Sequence, residues 1–130
     1  MMADPRGTIN RYAAAWAAGE REAWLDTFAP DALQEDPIGE GIRRGRAAIG
    51  GFWDEAMSGY RSLAILPRDV VVVVAGGLEA AMVWTIEAVT HDGSLVTFDG
   101  VDTFAFDEVG LITSVRAYWD RSRRVVRPAP

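Results

Sequence analysis

Three residues of this 130-residue chain could do chemistry together: Asp102, Asp36 and Tyr12. In the run TFDGVDTFAF, Asp102 shares the period-2 face of a strand with Phe98, Phe104 and Phe106, so a carboxyl group points where aromatic rings point. An ionised carboxylate there would lose most of its hydration. The group must be paired, or its pKa must rise until it keeps its proton and becomes a hydrogen-bond donor. Read alone, a strand-end Asp reaching water beside Gly100 is the plainer account. Asp36 stands in LQEDPIG, where Asp-Pro is a common turn initiator, and Glu35 points the other way. Tyr12 lies on the apolar face of the first helix, so its ring packs inward and its hydroxyl needs a partner inside. Each has an ordinary structural reading. Together, an ionised Asp could take a proton from carbon next to a carbonyl, while a tyrosine hydroxyl and a protonated Asp donate to the enolate oxygen that forms. Such chemistry needs no metal and no cofactor.

The elements that must position these groups fall in two halves. The first 30 residues read as two short helices. Asp4 is the N-cap, Pro5 takes the first helical position, and Gly19 ends helix one after Ala18. Ile9, Tyr12, Ala13 and Trp16 then share one face, as do Trp24, Leu25 and Phe28 on the second helix, which Pro30 closes. Ala32 to Asp36 reads as a short strand stopped by Pro37, and PIGEGIRRG as a glycine-rich connection. A third helix is expected from about Arg46 to Met57, burying Ile49, Phe52, Trp53 and Ala56. Five strands follow, at Leu63 to Leu66, Val70 to Ala75, Leu78 to Thr90, Leu95 to Phe106 and Leu111 to Asp120. Turns at Gly76-Gly77, Asp92-Gly93 and DEVG join them as an antiparallel meander. Helices first and a curled sheet after is an α+β plan, with the helices on one concave sheet face. Met82, Trp84 and Ile86, with Val115, Ala117 and Trp119 and the Phe98 to Phe106 face, would give that concavity a largely apolar lining.

Composition narrows the function classes. The length fits a single domain over residues 1–130. No apolar stretch is long enough to span a membrane, and the start MMADPRG has no leader pattern, so a cytoplasmic protein is expected. With no cysteine, thiolate chemistry is excluded, and all 13 basic residues are arginine, which excludes lysine Schiff bases. A net charge of −6 disfavours nucleic acid and anionic membranes as partners. The arginines of RSRRVVRP read as a solvated tail. His91, the one histidine, falls in the turn THDGS, which disfavours serine-histidine triads and histidine metal sites.

The segments RY, AAGE, FAPDA, EDPIG, GRAAIGGFW, VDTFAFDEVG and VRAYWD, in that order from about Ile9 to the C-terminal tail, resemble those of the bacterial ketosteroid isomerases, within the nuclear-transport-factor-like cone-fold superfamily. The resemblance implies three helices from the N-terminal half packed on a strongly curved, mostly antiparallel sheet that forms a cone-shaped pocket. It implies Asp36 as general base, with Tyr12 and Asp102 as the oxyanion hole. A carboxylic acid kept neutral by its apolar site is a known property of that family. The substrate would be a small apolar steroid, converted from a 3-oxo-Δ5 to a conjugated 3-oxo-Δ4 form through a dienolate, with no cofactor, in a homodimer packed through the outer sheet face. Phe28, Phe52, Trp53, Met82, Trp84, Val115 and Trp119 are the expected substrate-binding side chains. Two positions depart from the family: Trp53 stands where its best-studied members have a tyrosine bonded to the oxyanion tyrosine, and Trp84 is larger than expected. The alternatives are another cone-fold enzyme, of epoxide hydrolase, dehydratase or polyketide cyclase type, and a non-catalytic ligand-binding domain.

Overall fold

The computed structural model describes residues 3–75 and 77–130, so Gly76 of the expected Gly76-Gly77 turn and the first two methionines lie outside the described residues. The helices are α1 (Pro5–Ala18), α2 (Arg21–Leu25) and α3 (Gly45–Ser58). The strands are β1 (Phe28–Glu35), β2 (Ile42–Arg44), β3 (Ser62–Val73), β4 (Glu79–Val89), β5 (Leu95–Phe106), β6 (Ile112–Tyr118) and β7 (Val125–Arg127). Capping fixes α1 at both ends. The Asp4 carboxylate accepts from the Gly7 amide at 3.0 Å, and Gly19 closes the helix in the left-handed conformation at φ 68°.

The sheet runs β2-β1-β6-β5-β4-β3, antiparallel except for the β1–β6 pair, and it does not close. The three helices pack on its curved inner face, which is the expected α+β cone. Register sorts the inward residues into rows across the strands. One row is Arg43, Gln34, Val115, Phe104, Ala80 and Val72. The next holds Ala117, Asp102, Met82 and Val70. Beyond it Gly100 faces Trp84, and then Phe98, Ile86 and Ile65 face one another.

Four local expectations are corrected. The second helix ends at Leu25, because the chain at Thr27 is captured by β6: the Ile112 amide donates to the Thr27 carbonyl at 2.9 Å. Phe28 therefore opens β1, and Pro30 closes no helix. It lies in a stretch of β1 where the pairing with β6 is interrupted between Phe28 and Leu33, so its missing N–H costs no ladder bond there. The two strands expected on either side of Pro67 are one strand, β3, with a bulge between Pro67 and Asp69. The extra residue swaps inward positions from odd (Leu63, Ile65) to even numbers (Val70, Val72), so both halves face the same core. The connection after Asp36 contains β2, and the tail is not free: Val125–Arg127 pairs with Leu95–Thr97 of β5, along the edge that β6 leaves uncovered.

Candidate active site

Tyr12 reaches the concave face from α1, and three rings hold it: Phe104 at 5.3 Å edge-on, Trp24 at 5.7 Å and Phe28 at 5.8 Å between centroids. Each such pair is worth about 0.5–1.5 kcal/mol beyond its buried area. Asp102 arrives from the middle of β5 and is only 3 % exposed. Asp36 stands just past the end of β1, before a cis peptide to Pro37. Trp119 stands just past β6, its ring 5.0 Å from that of Phe98, and its indole N–H donates to Asp36 Oδ1 at 2.7 Å.

These side chains border two chambers inside the cone. The inner one, about 60 Å³, is lined by Tyr12, Asp102, Asp36, Trp16, Trp84 and Trp119, among others. The outer one, about 610 Å³, is bordered by Asp36, Phe52, Phe98 and Trp119 on its inward side. The residues that line only this chamber include the polar Tyr60, Thr90, Ser94 and Arg124. Asp36, Phe52, Ala56, Leu63, Phe98 and Trp119 line both, so they mark where the two meet.

Electrostatics separates the two carboxyls. Burial pushes Asp36 up to about 6, although part of its surface stays open to the chambers; the Trp119 bond and the nearby guanidinium groups of Arg43 and Arg121 pull the other way, and Glu40 adds to the rise. Burial also pushes Asp102 well above its ordinary value, and the neighbouring Asp36 charge adds to the rise; the Trp84 indole and the Tyr12 hydroxyl oppose it. The Tyr12 hydroxyl is raised too, by burial first and then by Asp102 and Asp36. In one cone, then, a carboxyl at the junction of the chambers and a second in the inner chamber are both raised by burial, the second beside a phenol raised by the same cause. A base and two donors at neutral pH are what proton transfer next to a carbonyl requires.

Of the expected substrate-binding side chains, Phe52 and Trp119 line both chambers and Trp84 the inner one. Phe28, Trp53, Met82 and Val115 line neither. Phe28 backs the Tyr12 ring, and Met82 and Val115 lie beneath in the sheet rows beside Asp102 and Phe104. Trp53 stacks on Trp16 at 4.0 Å and 29°, and the indole packed against the Tyr12 ring is that of Trp24. His91 sits on the β4–β5 turn and donates from Nε2 to the Ser58 carbonyl at 3.0 Å. Among the described residues no cluster of His, Asp or Glu is placed to hold a metal ion.

Several polar residues of the cone carried no mark in the sequence. Arg43 lies over the Phe52 ring at 4.8 Å, and its buried Nη1 has no partner. Arg121 lies over the Trp119 ring at 4.8 Å and pairs with Glu40 at 2.5 Å. Gln34 is wholly buried with neither amide atom bonded. A guanidinium that stacks on a ring across two elements leaves no local pattern, and the alternation of β1 was the one hint that Gln34 faces inward.

Residues 9–115 match the model of the SnoaL-like domain family. The chain is 36% identical over 129 residues to a steroid Δ-isomerase of Nocardioides simplex, covering 99% of this chain and all of that protein. A crystal structure of Δ5-3-ketosteroid isomerase from a Mycobacterium species superposes with a TM-score of 0.82 at 28% identity, over 95% of this chain and 98% of the other. SalBIII, an epoxide hydrolase/cyclase-like enzyme of pyran ring formation in the polyether salinomycin, shares the fold with a TM-score of 0.83 at 23% identity, over 95% of each chain.

Proposed function

The chain belongs to the SnoaL-like domain family, and from that footing we propose that it is a steroid Δ-isomerase converting 3-oxo-Δ5-steroids to conjugated 3-oxo-Δ4-steroids. The observation that carries this reading is the placement of two carboxyls whose pKa burial raises, one bordering both chambers and one beside Tyr12 in the inner chamber. The inner chamber has room for a carbonyl end and little more, and the rest of the ring system lies in the outer chamber. The carbon between carbonyl and alkene then falls near the junction, where Asp36 stands. The Asp36 carboxylate removes a proton from that carbon, and the electron pair moves to the carbonyl oxygen to give a dienolate. Tyr12 and protonated Asp102 donate to that oxygen as its charge grows. The same proton returns from Asp36 to the far end of the former alkene. The C=C bond has moved into conjugation, and no electrons enter or leave.

The test is direct: add a 5-ene-3-one steroid and follow the ultraviolet absorbance of the conjugated enone. Turnover that Asp36→Asn abolishes supports the reading, and its absence in the intact protein overturns it. One observation favours a second reading, a cone-fold hydrolase or cyclase. Arg43 acts electrostatically on Asp36 and is in no ion pair among the described residues, as a group that orients water or an epoxide oxygen would be. Hydrolysis of an epoxide, lost in Arg43→Gln, is its test.

The outer sheet face supports a homodimer. Val83, Val101 and Tyr118 form one outward row, with Val71 and Val73 exposed on the neighbouring β3, more apolar side chain than a strand face in water ordinarily carries. Val83→Arg should yield monomers in analytical ultracentrifugation. No helix among the described residues is long and apolar enough to cross a membrane.

A further inference from the structure

Trp84 carries the one polar atom of the inner chamber that comes from the middle of a strand and has no task in the reaction above. It stands opposite Gly100 on β5, where a Cβ would overlap indole carbons Cζ2 and Cη2, so the missing side chain is what lets the ring lie across β5. Cζ2 adjoins the fused carbon that bears the nitrogen, so the N–H edge is the one facing β5. Asp102 is the next inward residue of that strand, diagonal to Trp84 and within reach of a long cross-strand side chain. Trp84 Nε1 and Asp102 Oδ1 are both buried and both without a hydrogen-bond partner: a donor and an acceptor on two residues that line the same small chamber.

We propose that Trp84 is a positioning residue for the isomerisation, its indole N–H donating to Asp102 Oδ1 so that Oδ2 carries the acid proton and presents it to the substrate oxygen. An indole N–H donates and cannot accept, so it fixes which carboxyl oxygen is the carbonyl and never competes for the proton. A donor on the carbonyl oxygen also draws electron density from the O–H and strengthens it as a donor, the cooperative effect of a hydrogen-bond chain. The tendency of Trp84 to pull the Asp102 pKa down, against burial, has the same sign. The effect on rate rests on the isomerase reading; the contact itself does not.

Three measurements test it. Trp84→Phe keeps the ring and removes the N–H, and should lower kcat about three- to tenfold with little change in KM. In an Asp102→Ala background the same change should alter kcat by less than about twofold, because its partner is gone. An equal fold-loss in both backgrounds means that the indole only packs, and overturns the proposal. In the infrared, the C=O stretch of protonated Asp102 should rise in frequency in Trp84→Phe; an unmoved band is likewise fatal. These last readings need no turnover, so a protein that failed to isomerise steroids would still decide the contact. Should Trp84→Phe not fold, the wild-type protein suffices: the indole N–H resonance with a nuclear Overhauser contact to the Gly100 α protons should move upfield in Asp102→Ala, and one that stays in place refutes the bond.

Discussion

The indole N–H of Trp119 and the Asp36 carboxylate meet at 2.7 Å across the ends of two parallel strands, β6 and β1. The bond favours the ionised form of Asp36 and so offsets part of what burial does to it. Trp119→Phe should therefore raise the Asp36 pKa. A hydrogen bond to a charged group is worth about 1.5–3 kcal/mol, which corresponds to roughly one to two pH units. The acid limb of the kcat/KM profile should move to higher pH by that order, while the alkaline plateau keeps its height. An unmoved acid limb would show that the bond does not form in solution.

On the mechanism proposed above, activity of the unmodified protein needs Asp36 ionised and Asp102 protonated. Since Asp36 is pushed up to about 6, kcat/KM should rise with pH and reach half its plateau near that value. Asp102, which burial pushes well above its ordinary value, should cause no second loss near neutral pH. A profile that falls on the alkaline side of neutrality would mean that Asp102 ionises too early to act as a donor.

Asp36→Asn keeps the shape of the base and removes its function. Turnover should drop by about 10² to 10⁴, the usual worth of a general base, with the fold intact by circular dichroism and steroid affinity nearly unchanged. The amide also removes the negative charge that an enolate-like ligand would meet, so such a ligand should bind at least as tightly. Wild-type turnover in this variant would place the base elsewhere.

Tyr12→Phe and Asp102→Asn each remove or weaken a donor to charge that develops during the reaction. Loss of one such donor costs on the order of 2.7–4 kcal/mol where it has been measured, and should appear in kcat more than in KM. Asp102→Asn keeps an N–H and should be milder than Asp102→Ala.

Asp102 also ties activity to stability, with a definite sign. Its folded pKa lies far above its unfolded value, so between the two the folded protein holds a proton that the unfolded chain has released. Stability then falls as pH rises through that window, by up to about 1.4 kcal/mol per pH unit from this group. Asp102→Asn has no proton to lose. By urea denaturation it should be more stable than wild type at pH 7, by a margin that shrinks toward pH 4. A margin that stays constant with pH would show that Asp102 is ionised in the folded protein.

The sequence disclosed the faces of the cone better than its edges. Asp102 could be placed among rings because β5 is paired on both sides and its alternation is unbroken from Leu95 to Phe106. Tyr12 could be placed inward because α1 has clear caps. The helix periodicity that sends Trp53 inward does not distinguish a cavity wall from the layer behind it, and Trp53 lies in that layer against Trp16. Pro67 reads as a break because a bulge and a chain break share the same local signal. Val125–Arg127 reads as free tail because the cause of its pairing lies elsewhere, in the point at which β6 leaves the edge of β5. The reach of Trp119 to Asp36, 83 residues away, has no local signature at all.

Trp119, Arg121, Arg124 and Val126, from the last twelve residues, line the outer chamber, while Tyr12 comes from α1, Asp36 from just past the end of β1, and Asp102 from β5. On the proposed mechanism, the groups that act on the carbonyl and those that meet the far end of the steroid thus come largely from separate stretches of the chain. Trp119, which bonds to Asp36, and Arg121, whose charge acts on it, tie the start of this stretch to the base proposed above, whereas Arg124 and Val126 line the outer chamber alone. Changes at Arg124 and Val126 would thus alter what the outer chamber accepts and leave the lining of the inner one unchanged, a reason to put an affinity tag at the other end of the chain.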